Sequence, residues 1–287
     1  MLVLAVCVTA RSMDRQSAIQ SLEVHHTAVA YKPEERYENV ASADGEYLGP
    51  YVPYIGARYL DSVPRVLIYA MAQNLAGEKG QSLIGGWYHN RDKGLRRQYY
   101  RESDMHVSVR PYDDGHLKVI AALALSSFPG TNYVSSQSVH ERIVVTNFVE
   151  FSFIARGTNR RLLDANPPKG IYDDMWRNFS AYEVDLLQPD IVIGVGKDVA
   201  EAIRRNLRSE ILVEIPFPGR LNLNSRFVPR GKRALENGFD RRGEIAKLAD
   251  LLQGTPDSDG KIAGVIKTDW YYFAEMRDRF NTFMARS

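Results

Sequence analysis

Hydrophobic positions along this chain fall into two alternating patterns. Four short runs are almost continuously apolar: Arg65 to Met71, Arg142 to Val149, Asp190 to Val195 and Ile211 to Ile215. Each is rich in Val and Ile, the pattern of parallel strands covered on both faces. Between them the spacing becomes helical. Gly115 to Ser127 sets Leu117, Ile120, Ala121 and Ala124 on one stripe, and Asp173 to Leu187 does the same with Trp176, Phe179, Tyr182 and Leu186. Lys197 to Leu207 follows a Gly-x-Gly turn and repeats apolar residues at Val199, Ile203 and Leu207.

Strands alternating with helices predict a doubly wound α/β fold. The expected architecture is three layers, α/β/α, around a central four-stranded, mostly parallel sheet in a single domain over residues 1–287. Ligand sites of such sheets lie at the carboxyl ends of the strands. Before the first strand, Tyr47 to Tyr59 is dense in Tyr, Pro and Gly and reads as an ordered loop. After the last strand come a basic loop, a helix near Arg241 to Leu252, a polar linker at Gly254 to Gly260, and a helix around Thr268 to Met284. That last helix carries Trp270, Phe273, Met276, Phe280 and Phe283 at core spacing.

Composition narrows the class. A chain of 287 residues buries about three quarters of its unfolded surface, enough to fold without a metal or disulfide staple. Cys7 is the only cysteine, and no Cys/His cluster has zinc spacing, so a reducing, cytoplasmic setting is expected. The formal charge of +2 excludes an all-over basic nucleic-acid binder while allowing a local basic face. No run approaches the ~18 apolar residues of a membrane span. Met1 to Ala10 is apolar but lacks a basic n-region, so residues 1–20 read as a flexible segment or as the product of a start upstream of Met13.

Three segments carry a resemblance. VVTNFVEFSF (Val144 to Phe153) is an apolar run that ends in Asn, followed by a short alternation. LLQPDIVIGVGKDVAEAI (Leu186 to Ile203) is a helix, Pro, an apolar strand ending in Gly, and another helix. EIPFPGRLNLNSR (Glu214 to Arg226) is a Pro-bearing loop after the fourth strand. Together these resemble the uracil-DNA glycosylase superfamily, over Tyr47 to about Arg233. Two motifs depart from the family pattern. Phe217-Pro218-Gly219 stands where His-Pro-Ser is usual, and the first strand runs into Ala72-Gln73-Asn74 without the usual carboxylate.

The resemblance implies a base-flipping, hydrolytic DNA glycosylase that needs neither metal nor cofactor. Asn147 would read the pyrimidine edge, since a carboxamide both donates and accepts; the alternative is an Asn that ends a strand by bonding its own backbone. Gln73 and Asn74 would hold the attacking water, or else solvate a loop or cap a helix. Tyr51, Tyr54 and Phe148 are candidates for stacking on the base, and Phe217 for lining its pocket. The loop from Pro216 to Arg233 has no acidic residue. Its Arg220, Asn222, Asn224, Arg226 and Arg230 would contact DNA, the cations by neutralising phosphates. A second basic cluster, Arg91 to Arg101, is either a solvated helix face or another DNA contact. His140 falls at the amino end of a strand, and His89 in a turn. The implied protein is a monomer acting on DNA, in repair or in defence against foreign DNA. The substrate would be uracil or a modified base such as a substituted cytosine, which the missing His favours. The other readings are a catalytically weak DNA sensor of the same fold and an unrelated α/β hydrolase, although neither a Gly-x-Ser-x-Gly elbow nor a Walker loop is present.

Overall fold

The computed structural model describes residues 13–29, 31, 33–38, 40–41, 52–72, 140–150, 154–155, 167–168, 170–207, 211–215 and 279–285. All four apolar runs are strands: β3 (Val66–Ala72), β4 (Ile143–Val149), β6 (Ile191–Val195) and β7 (Leu212–Ile215). They are hydrogen-bonded in parallel, in the order β4-β3-β6-β7. The sheet has five strands rather than the four expected. The fifth, β2 (Tyr54–Ile55), lies inside the predicted loop and pairs antiparallel with β4. Two residues among Pro and Gly are too few to show a strand period. A separate two-stranded antiparallel ribbon joins β1 (Val40–Ala41) to β5 (Ile154–Ala155).

Register assigns each strand residue to a face. Leu67, Val144, Val192 and Leu212 are aligned across the sheet, so they share one face, and alternation adds Ile55, Tyr69, Thr146 and Phe148 to it. This face is covered by helices. The helix α1 (Arg15–Ala28) brings Ala18 and Leu22; after the single turn α2 (Pro33–Arg36), α3 (Ile171–Met175) brings Ile171 and Met175. A π-helical turn, Trp176–Ser180, and α4 (Ala181–Leu187) continue α3 and add Phe179 and Leu187. The helix α5 (Lys197–Arg204) completes the layer with Val199 and Ile203. Val66, Ile68, Val145, Asn147, Ile193 and Val213 alternate to the other face.

Local chemistry explains the helix boundaries. Asp14 caps α1: one carboxylate oxygen accepts from the Ser17 backbone N–H at 2.8 Å and the other from the Ser17 hydroxyl at 2.9 Å. The buried positions of the 171–187 helix include Met175, Phe179, Glu183 and Leu187, a spacing of four. The predicted stripe was Trp176, Phe179, Tyr182 and Leu186, of which only Phe179 is fully buried. The π turn winds wider than an α-helix and rotates the buried face.

Gly194 lets α5 approach the sheet. A Cβ there would sit 3.0 Å from the Ala200 Cα. Gly196, with φ +100, then turns the chain into α5. The Gly-x-Gly is thus a packing device between strand and helix. Side-chain pairs tie the layer together: Arg204 with Glu214, and Arg205 with Asp173 at 3.1 Å. The predicted C-terminal helix is described only at residues 279–284, where Phe280 and Phe283 are buried. The expected helices at Gly115 to Ser127 and Arg241 to Leu252 lie outside the described residues. Among the described residues no helix is long and apolar enough to cross a membrane.

Candidate functional site

The strand order places a switch point between β3 and β6. From β3 the chain passes to β4 on one side, then returns across β3 to β6 and β7 on the other. Loops leaving the carboxyl ends of strands diverge at such a point and open a crevice. β3 ends at Ala72, directly before Gln73 and Asn74.

Asn147 lies in β4 opposite Ala70, and Val149 lies opposite Ala72. The carboxamide is therefore not at a strand end, as the sequence suggests, because β4 continues for two more residues and the ladder holds its backbone. Asn147 is 7% exposed. Tyr54 pairs with Val145, so it shares the face of Asn147 and stands diagonal to it. Diagonal neighbours lie roughly 7–8 Å apart, within the span of an aromatic ring. Tyr54 is half-buried.

Phe148 takes a different place from the one the resemblance implies. Strand alternation turns it to the opposite face from Asn147, where it is fully buried. Its ring meets Tyr69 edge-on at 5.4 Å, and it lies 5.9 Å from Tyr172 and 6.5 Å from Trp176. It is a core ring and offers no face to a base. Gln73, Asn74, Tyr51, Phe217, Arg220, Asn222, Asn224, Arg226 and Arg230 lie outside the described residues, as does the basic cluster Arg91 to Arg101.

A second group of polar side chains was not anticipated. On the helix-covered face, His26, Tyr69, Thr146, Glu150, Ser180 and Glu183 are all at most 1% exposed. His26 bonds through Nδ1 to the Leu22 carbonyl at 2.8 Å and through Nε2 to Glu183 Oε1 at 3.1 Å. Tyr69 donates to Glu183 Oε2 at 2.7 Å. The Thr146 hydroxyl donates to Glu150 Oε1 at 3.2 Å, and the Glu150 backbone N–H points at the Met175 sulfur at 3.4 Å. Burial, and then the charge of Glu183, push the Tyr69 phenol well above its ordinary value, so it remains a donor. His25, beside His26, stacks on Tyr182 at 3.9 Å and donates to the Asn178 carbonyl at 2.8 Å, within the π turn.

These residues are far apart in sequence, His26 from Glu183 by 157 positions, so no local motif announces them. One clue was present. Glu183 falls four residues after Phe179 and four before Leu187, a charge on an otherwise apolar stripe.

No family model and no curated protein sequence matches this chain.

Proposed function

We propose that this chain is a DNA glycosylase that flips out a damaged or modified pyrimidine and releases it by hydrolysis. The observation that carries the reading is the register of Asn147 with β3. It sits opposite Ala70, beside the strand that borders the switch point of a mostly parallel sheet and leads into Gln73 and Asn74. Tyr54, half-buried on the same face, is the remaining described candidate for stacking on the base.

In this reading Asn147 pairs with the base edge through its carbonyl and amide. Gln73 and Asn74 hold the water that attacks the sugar as the glycosidic bond lengthens. The acid-free loop with Arg220, Asn222, Asn224, Arg226 and Arg230 contacts the strand, and Phe217 lines the pocket. Extruding the nucleotide costs a few kcal/mol, and least for a damaged base. Phe cannot stabilise a pyrimidine oxyanion as His does, so a better leaving group than uracil suits this site.

The test incubates the full chain with single- and double-stranded oligonucleotides bearing uracil, hydroxymethylcytosine or glucosylated hydroxymethylcytosine. Released bases leave alkali-labile sites. The expected result is strand breaks with a modified cytosine in preference to uracil. Asn147→Ala should lower that rate on the order of a hundredfold or more, the scale of one lost pre-aimed hydrogen bond. Its thermal midpoint, measured alongside, separates lost chemistry from lost folding. Tight DNA binding with no base released from any substrate replaces the enzyme by a sensor of the same fold.

A further inference from the structure

The buried polar group on the helix-covered face has the makings of a metal centre. His26 comes from α1, Glu150 follows β4, and Glu183 lies on α4. Each brings one ligand atom, and these atoms lie within 4.8 Å of one another. The histidine tautomer is set by its neighbour. The Leu22 carbonyl, 2.8 Å from Nδ1, can only accept, so Nδ1 carries the proton. Nε2 then directs its lone pair at Glu183 Oε1, 3.1 Å away. Two lone pairs face each other at that distance only with a proton or a cation between them.

Hydroxyls outside the triad orient the carboxylates. Tyr69 holds Glu183 Oε2 and Thr146 holds Glu150 Oε1. A histidine fixed by a carbonyl and carboxylates fixed by hydroxyls are the outer arrangement that orients metal ligands. Ser180, three residues before Glu183 and so on the same side of the helix, has a buried hydroxyl with no hydrogen-bond partner among the described residues.

We propose that His26, Glu150 and Glu183 bind a divalent first-row transition-metal ion. Two carboxylates, a neutral imidazole and a dication sum to zero charge, whereas a single added proton leaves the buried group negative. A nitrogen in the set selects Zn²⁺, Mn²⁺ or Fe²⁺ over Ca²⁺ and Mg²⁺, which favour all-oxygen shells. The centre is closed to solvent and lies on the opposite face of the sheet from Asn147. Its role is to fasten α1 and α4 to the central strands, and it takes no part in the proposed excision.

The experiment uses the full chain expressed with added Zn²⁺, Mn²⁺ or Fe²⁺, desalted and assayed by elemental mass spectrometry. The expected content is about one equivalent of one metal per chain. Glu183→Gln and His26→Gln should reduce it at least tenfold, while Asp185→Asn, an exposed change in the same helix, leaves it unchanged. Those core variants can fail to fold, so the wild-type chain is also stripped with a chelator in mild denaturant and refolded. Adding Zn²⁺ should then raise its thermal midpoint by several degrees, Mg²⁺ should not, and Co²⁺ should give visible d–d absorption. A chain that purifies without metal and whose midpoint ignores Zn²⁺, Mn²⁺, Fe²⁺ and Co²⁺ overturns the proposal and makes the group a proton-sharing network. Equal metal in folded His26→Gln and Glu183→Gln proteins overturns it as well.

Discussion

Tyr69 donates its hydroxyl to Glu183 Oε2 at 2.7 Å, joining the central strand β3 to α4 where neither residue touches solvent. The bond replaces the water that each group would have in the unfolded chain. Tyr69→Phe keeps the ring against Phe148 but leaves a buried carboxylate oxygen without its donor. The expected cost is about 1–3 kcal/mol. Urea denaturation should show a lower midpoint with an unchanged slope. An unaltered midpoint would show that the hydroxyl contributes nothing.

Asp174 anchors the segment after α1. Its carboxylate accepts from Arg36 at 2.7 Å, Tyr37 at 2.7 Å and Tyr31 at 3.0 Å. Burial alone raises its pKa, but the hydrogen bonds from Tyr37, Arg36 and Tyr31 outweigh burial and hold it below the usual carboxylate range. The same network, with burial first, pushes the Tyr37 phenol up to about 12. A value depressed by folding means that the stabilisation is present above the unfolded pKa of about 3.9 and is lost as pH falls through the folded one. Asp174→Asn should therefore be less stable at pH 7 by on the order of 1–3 kcal/mol. Below the depressed folded pKa of Asp174 the variant and the wild-type chain should converge. Denaturation midpoints across that range check the sign, and a gap that persists in acid contradicts it.

Gly194 faces Ala200 across the β6–α5 contact, with 3.0 Å between a built Cβ and the Ala200 Cα. Backbone cannot move aside as a flexible side chain can. Gly194→Val should cost about 1–3 kcal/mol through overpacking. A stability within experimental error of wild type would mean that α5 shifts freely on the sheet.

The basic loop is tested through salt. Replacing both Arg220 and Arg226 with Ala should weaken DNA binding regardless of sequence. It should also reduce the slope of log affinity against log salt by up to ~2, since each phosphate contact releases about one counterion. Equal affinity and slope would identify the loop as solvated surface.

The sheet was legible in the residues because continuous Val and Ile runs have few alternatives to a strand buried on both faces. All four runs form strands within a residue of their predicted ends. The helix 171–187 was legible as an element, but its π turn was not, and so the buried face had to be corrected. β2 was missed because a two-residue strand has no period; it forms only where β4 offers it an open edge.

Site chemistry divides in the same way. Asn147 stands out through the resemblance carried by VVTNFVEFSF, but strand register decided that Tyr54 shares its face and that Phe148 does not. The His26, Glu150 and Glu183 group was beyond reach of any spacing rule. Its members come from a helix, the end of a strand and another helix, and only the packing of α1 and α4 onto one sheet face brings them together. Period and composition are local properties, so the residues alone were enough for the four long strands and for the helix 171–187 as an element, but not for β2, the π turn or α1. The meeting of distant side chains depends on which faces pack against each other, and that is decided only when the sheet acquires its order.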